Sequence, residues 1–225
     1  PKEITAATKK KDWTWYATGP GAGIQLEKGK HAGRLVIPCD HKIQVDGGRS
    51  FRSHVIYSDD HGKTWRLGGI APKPMVNECE VVELSDGRIL LNMRNYDKSI
   101  RARQVCFSND GGLTWQDQRH DKKLIEPTCQ ASIRRLRWPS KGRPGVILFS
   151  NPGSTSKRDK LTIRASYDDG VTWKHSRELY SGGSAYSCLV ILKNQEIGNL
   201  YEKDGYKSIV FTRLDLGWLQ SSTQK

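Results

Sequence analysis

Ser58-Asp-Asp60-His-Gly62-Lys-Thr64-Trp65 returns twice in altered spelling, as Ser108-Asn-Asp110-Gly-Gly112-Leu-Thr114-Trp115 and as Ser166-Tyr-Asp168-Asp-Gly170-Val-Thr172-Trp173. The copies begin 50 and 58 residues apart. Each follows a run rich in β-branched or aromatic residues, at 53–57, 103–107 and 161–165. An Asp carboxylate can accept amide hydrogens of a turn, Gly supplies a positive φ, and Trp packs the hairpin against its neighbour. Strand, tight turn, strand is therefore the repeating unit. The simplest role for all three copies is to stabilise the turn.

Working outward, strands are expected at 33–38, 51–58, 77–84, 88–95, 102–108, 130–137, 145–150, 160–166, 185–192, 197–202 and 207–214. No stretch carries a convincing 3.6-residue period. Four strands per roughly 50 residues is the signature of a β-propeller blade. A β-sandwich would not need one turn motif recurring at this period. The chain is read as all-β, with residues 1–12 as a tail or linker and 13–225 as propeller blades. Segments opening near 13, 77, 130 and 185 make four blades.

Composition excludes several other classes. Of 225 residues, 36% are hydrophobic and 7 are Trp, which is not the aromatic-poor signature of disorder. No apolar run approaches the roughly 18 residues of a membrane helix. Residues 1–11 have no apolar core and are not a signal peptide. The net charge of +13 suits an anionic partner. No nucleic-acid motif accompanies it, so most of these cations are read as solvated surface. Five Cys (39, 79, 106, 129, 188) without a CxxC pair read as free thiols in strands, and six scattered His offer no metal-ligand spacing.

The chemistry-bearing residues lie between the repeats. In 77–95 a hairpin turns at Ser85-Asp86-Gly87, and pairing Leu84 with Arg88 sets Glu78 directly opposite Arg94. Opposed Cβ atoms stand about 5 Å apart, and such a cross-strand ion pair contributes roughly 0.2–1 kcal/mol. A one-residue slip would send one partner to the other face. Considered by itself, the pair is an ordinary ladder contact.

Ser-x-Asp-x-Gly-x-Thr-Trp is the Asp-box, and the surrounding sequence, roughly from Trp13 to Leu219, resembles the sialidase (neuraminidase) family of six-bladed propellers. In that family Asp-boxes lie on the periphery, away from the catalytic face. The resemblance implies that Glu78 partners the nucleophile and that Arg94, sixteen residues on, belongs to a carboxylate-binding arginine triad. It places a second arginine of that triad at Arg158, six residues before Arg164, which is read as a strand surface charge. The segment Gly182-Gly-Ser-Ala-Tyr186 resembles the one bearing the catalytic tyrosine. Residues 16–26, with Gly19-Pro-Gly-Ala-Gly23, resemble the inner strand and loop of a blade. They lack the Lys-Ser/Thr of a phosphate-binding loop.

The residue types suit the implied substrate. Sialic acid carries a carboxylate on its anomeric carbon, which planar guanidinium groups bind through paired hydrogen bonds. A carboxylate nucleophile would be repelled there, whereas a phenol approaches neutral and passes its proton to a Glu. Sialidases are an established exception to the two-carboxylate glycosidase scheme. Two other carboxylates compete for the base role and rank below Glu78. Pairing Leu192 with Ile197 puts Glu202 opposite Ser187, on the face away from Tyr186, and Glu126 lies in a loop before Pro127.

The family also has an earlier arginine and an acid/base aspartate, and neither has a match here, the first Arg being Arg34. The expectation is a C-terminal portion of a sialidase whose N-terminal blades lie outside this chain. The implied activity is retaining exo-α-sialidase hydrolysis of terminal sialic acids on glycoproteins, glycolipids or oligosaccharides. That implies a sialylated glycan partner, no cofactor, no nucleic acid and no membrane span, with extracellular or periplasmic action suiting the substrate. The alternative is a non-catalytic Asp-box module that binds acidic glycans or a protein partner.

Overall fold

The computed structural model describes residues 1–221. Its regular structure is mostly antiparallel strand, with 55% of the chain in strands and 7% in helix. A first sheet comprises β1 (Trp13–Thr18), β2 (Ile24–Gln25), β3 (Leu35–Val45), β4 (Gly48–Ser58) and β5 (Arg66–Ile70), in the order β1-β3-β4-β5 with β2 beside β3. A second comprises β6 (Val76–Glu83), β7 (Ile89–Asn95), β8 (Ala102–Ser108) and β9 (Gln116–Ile125). The rest runs through β10 (Ser132–Arg137), β11 (Val146–Pro152), β12 (Asp159–Ser166), β13 (His175–Ile191), β14 (Ile197–Lys203) and β15 (Ser208–Leu214). Short helices α1 (Thr5–Thr8) and α2 (Leu216–Gln220) flank the strands.

β13 explains why one six-stranded path holds two blades. Its first part pairs with β12 up to Gly183, and its second part pairs with β14 from Ser184 onward. The outer strand of one blade thus continues as the inner strand of the next. Successive sheets open at Trp13, Val76, Ser132 and Ser184, close to the expected 13, 77, 130 and 185.

The strand that the Asp-box hairpin implies after each turn is β5, β9 and the first part of β13, none of which was bounded by a residue pattern of its own. Each follows an Asp-box and forms the last strand of its blade. Gln116–Ile125 reads QDQRHDKKLI, with just Gln118 and Leu124 buried, so it has no alternating apolar face to detect. The ladder to the preceding strand holds such a segment extended without help from its own composition.

The three Asp-boxes are the same cage. Ser58 Oγ donates to Asp60 Oδ1 at 2.8 Å and accepts from the Gly62 amide at 2.8 Å, while Thr64 donates its amide (2.8 Å) and its hydroxyl (2.6 Å) to the Asp60 carboxylate. Asp110 and Asp168 repeat these bonds to within 0.1 Å. Gly62, Gly112 and Gly170 sit at φ of 83°, 90° and 86°, where a side chain would be strained. The Thr64 hydroxyl and then its amide hold the Asp60 carboxyl well below the usual carboxylate range. Trp115 extends the second cage into the packing by donating Nε1–H to Gly69 O at 3.0 Å. Replacing Asp110 by Ala removes this charged acceptor and is expected to cost about 1–2 kcal/mol, read as a lower urea midpoint with unchanged slope.

By contact density the chain forms two compact units, Pro1–Asp121 and Lys122–Lys225. The first packs Leu26, Val36 and Val55 of one blade on Val81, Leu91, Met93 and Trp115 of the next. The second packs Leu148, Ile163 and Ala165 on Leu189, Ile197 and Leu214. All five Cys are free thiols, four of them buried. Among the described residues no helix is long and apolar enough to cross a membrane.

His41 and His54 form a buried pair in the first unit, Nδ1 to Nδ1 at 3.0 Å, with the Trp13 ring stacked on His41 at 3.6 Å. That bond needs one bare ring nitrogen, so the fold cannot hold both rings protonated. Burial, then the Arg52 charge, pushes His41 down to about 4, and burial with the His41 charge pushes His54 lower still. Both lie below the ordinary value of 6.5, so the unfolded chain binds protons first as pH falls. Their stabilisation is complete above pH 6.5 and is lost progressively toward pH 4. A thermal midpoint that drops between pH 7 and pH 5 is expected, and a flat profile would refute this account.

Candidate active site

In the first unit the hairpin β6–β7 adopts the expected register, with Cys79 opposite Met93, Val82 opposite Leu90, and the Leu84 amide bonded to Arg88 O. Arg94 Nη1 accordingly donates to Glu78 Oε2 at 2.6 Å, with 11% and 12% of the two side chains exposed. So sheltered a pair is more than a rim contact, because neither charge could lose its partner cheaply.

The ladder breaks between Val76 and Cys79, at Asn77 and Glu78. There side chains take over from backbone pairing. Asn77, 6% exposed, gives Nδ2–H to Asp40 Oδ1 at 2.5 Å and accepts the Tyr96 hydroxyl on Oδ1 at 3.1 Å. Its carbonyl accepts from Ser53 Oγ at 2.5 Å. The Arg94 guanidinium lies 5.1 Å from the Tyr96 ring centre. Asp40 is 1% exposed, and burial followed by the facing Glu78 charge pushes its carboxyl up to about 7. The glycine loop packs against the same strand: Glu80 accepts the Ala22 amide at 3.1 Å, and a Cβ on Gly21 would meet Glu80 Cγ at 2.5 Å.

In the second unit the β12–β13 pairing sets Asp159 beside Gly183, and the Ser184 amide bonds to Arg158 O at 2.8 Å. That arrangement brings the Arg158 guanidinium to 5.8 Å from the Tyr186 ring centre. Arg158 also donates to Tyr206 Oη at 2.9 Å and to Thr128 O at 3.3 Å. Tyr206 is 60% exposed and comes from the β14–β15 turn.

The expected register of β13–β14 is corrected by one residue: Ile191, not Leu192, pairs with Ile197. Ser187 therefore opposes Tyr201, and the expected placement of Glu202 opposite Ser187 does not hold. Glu202 Oε2 accepts the Tyr186 amide at 2.9 Å. A tight 3₁₀ turn at Lys193–Gln195 consumes the extra residue. Arg164 is likewise no surface charge: it is 6% exposed and donates to Asn151 Oδ1 at 2.7 Å. Glu126 is buried at 1% exposure.

Glu78 and Arg94 thus meet within the first unit, and Arg158 and Tyr186 within the second. The sequence reading missed Asp40, Asn77, Tyr96 and Tyr206. The first three come from β3, β6 and the residue just after β7 and meet at an irregularity in the ladder, which no local pattern reports. A hint for Tyr206 was its place beside Asp204-Gly205 in a hairpin turn.

Comparison with known proteins follows this geometry. Residues 3–201 match the family model described as a BNR repeat-like domain. The chain is similar to a sialidase of Micromonospora viridifaciens, 39% identical over 223 residues, covering 97% of this chain and 33% of that protein. It is 34% identical over 208 residues to a sialidase of Bacteroides fragilis, covering 90% and 36%. Among solved structures it resembles Hadza microbial sialidase Hz136, with a TM-score of 0.84 and 34% identity over 96% of this chain and 41% of that one. The chain spans about a third of the length of the two sialidase sequences it matches.

Proposed function

Because this chain belongs to the BNR-repeat sialidase family, we propose that it carries the nucleophile, its base and two carboxylate-binding arginines of an exo-α-sialidase. Arg94 and Arg158 hold the substrate carboxylate with forked hydrogen bonds. The Tyr186 oxygen attacks the anomeric carbon while its proton passes to Glu78, and the glycosidic bond breaks with the electron pair leaving on the aglycone oxygen. The result is an aryl ketoside joining the Tyr186 oxygen to the anomeric carbon. Water then attacks the same carbon, the phenolate departs and recovers a proton, and sialic acid leaves with retained configuration. The aglycone oxygen needs a proton from an acid that this chain's matched residues do not include. That acid, like the first arginine, is assigned to blades of the same protein outside this sequence.

The observation that carries this reading is the sheltered 2.6 Å pair of Glu78 and Arg94 in a chain 39% identical to a sialidase. In such a site the arginine both binds substrate and holds the base in place. The test is hydrolysis of a fluorogenic α-sialoside by the chain alone and joined to its upstream gene sequence, with the released anomer followed by proton NMR. Turnover with initial release of the α-anomer is expected of the joined protein. Binding of sialoside without turnover would overturn the enzyme reading in favour of a non-catalytic glycan-binding module.

A further inference from the structure

Asp40 is the one buried carboxyl of the first unit that faces the Glu78–Arg94 pair and has no part in the scheme above. It stands on β3, 1% exposed, and makes no ion pair with Lys or Arg among the described residues. Its Oδ1 accepts from a neutral donor, Asn77 Nδ2–H, at 2.5 Å. Burying a carboxyl beside a second one is costly, and a fold tolerates it where the group does something packing cannot. What it touches is Asn77, the residue before Glu78, at the point where β6 leaves its ladder with β7. Asn77 in turn receives the Tyr96 hydroxyl, and the Tyr96 ring lies against Arg94. One residue therefore links both members of the ion pair through side chains alone.

We propose that Asp40 is a positioning residue for the Glu78–Arg94 pair, acting through Asn77 to hold the bulge of β6 and, by its own ionisation, setting the negative charge behind the substrate-carboxylate site. This rests on the sialidase reading above. The charges and titratable groups around it are few. Glu78 and Cys79 face it from β6, Lys42 and Cys39 from β3, and Tyr16 from β1. Burial holds the Cys39, Cys79 and Tyr16 groups neutral, each raised above its ordinary value, and the Lys42 charge opposes the upward push on Asp40. Asp40 loses its proton as pH rises through about 7. A second negative charge then stands behind Glu78 and opposes a carboxylate arriving at Arg94.

The experiment compares Asp40→Asn and Asp40→Ala in the protein joined to its upstream sequence, with kcat and KM for a fluorogenic sialoside from pH 5 to 9. Asn keeps an oxygen that accepts from Asn77 and removes the charge. For Asp40→Asn, kcat within about threefold of the parent and loss of the rise in KM through pH 7 are expected. For Asp40→Ala, kcat should fall at least about tenfold, the scale of a small misplacement of a catalytic group. If Asp40→Ala does not fold, the Asp40→Asn pH profile decides alone. An unchanged rise of KM in Asp40→Asn, or an Asp40→Ala enzyme with parental kcat, would overturn the proposal. An inactive parent protein would instead overturn the sialidase reading.

Discussion

Tyr186→Phe should reduce sialoside turnover at least about 1,000-fold while leaving the fold and KM nearly unchanged. The substitution deletes one oxygen. The ring that lies 5.8 Å from the Arg158 guanidinium stays, and so does the backbone amide that Glu202 accepts at 2.9 Å. Packing and carboxylate binding therefore persist while the atom that forms the bond to the anomeric carbon is gone. Removal of a nucleophile from a site acting as a unit costs several orders of magnitude in kcat. The check is kcat and KM beside the thermal midpoint, with intact-mass analysis for a sialosyl adduct on parent and variant. Turnover within tenfold of the parent, or an adduct surviving in the variant, would show that another residue attacks.

The second large effect is at Arg94. Arg94→Ala leaves the Glu78 carboxylate, 12% exposed, facing a void where a cation stood. Breaking a sheltered pair by removing one partner costs about 3–5 kcal/mol, since the remaining charge loses its ion-pair partner. A marked loss of urea midpoint is expected, with KM raised beyond saturation. Arg94→Lys separates the two roles. An ammonium can still neutralise Glu78, so stability should recover by more than half. It cannot present the forked donor pair to a carboxylate, so KM should remain at least about tenfold above the parent. Recovery of both would mean that Arg94 is a structural charge alone. Recovery of neither would mean that guanidinium geometry also holds the hairpin.

The two halves of the site were not equally legible. Glu78 and Arg94 lie on one hairpin closed by a short turn, so one register assumption sufficed, and Cys79 opposite Met93 bears it out. For Glu202 the same reasoning met a 3₁₀ turn at Lys193–Gln195 and slipped by one residue. Arg164 shows the other blind spot. Its type suggested a solvated charge, but its strand is buried on both faces and Asn151 satisfies the guanidinium inside. The strands after each Asp-box were implied by the hairpin alone, because a segment such as β9 has no alternating apolar face to set its bounds.

What the sequence determined by itself was everything set by contacts within a few residues. The Asp-box cages close between residues two to four apart, so three copies of one spelling give three copies of one geometry, and their spacing counts the blades. What only the tertiary structure decided depends on residues far apart in the chain. Asp40 reaches Asn77 across 37 positions, and Arg158 reaches Tyr206 across 48. Such meetings follow from how bulges and turns shift each ladder. A shift of one residue costs little locally, yet it changes which side chains share a face.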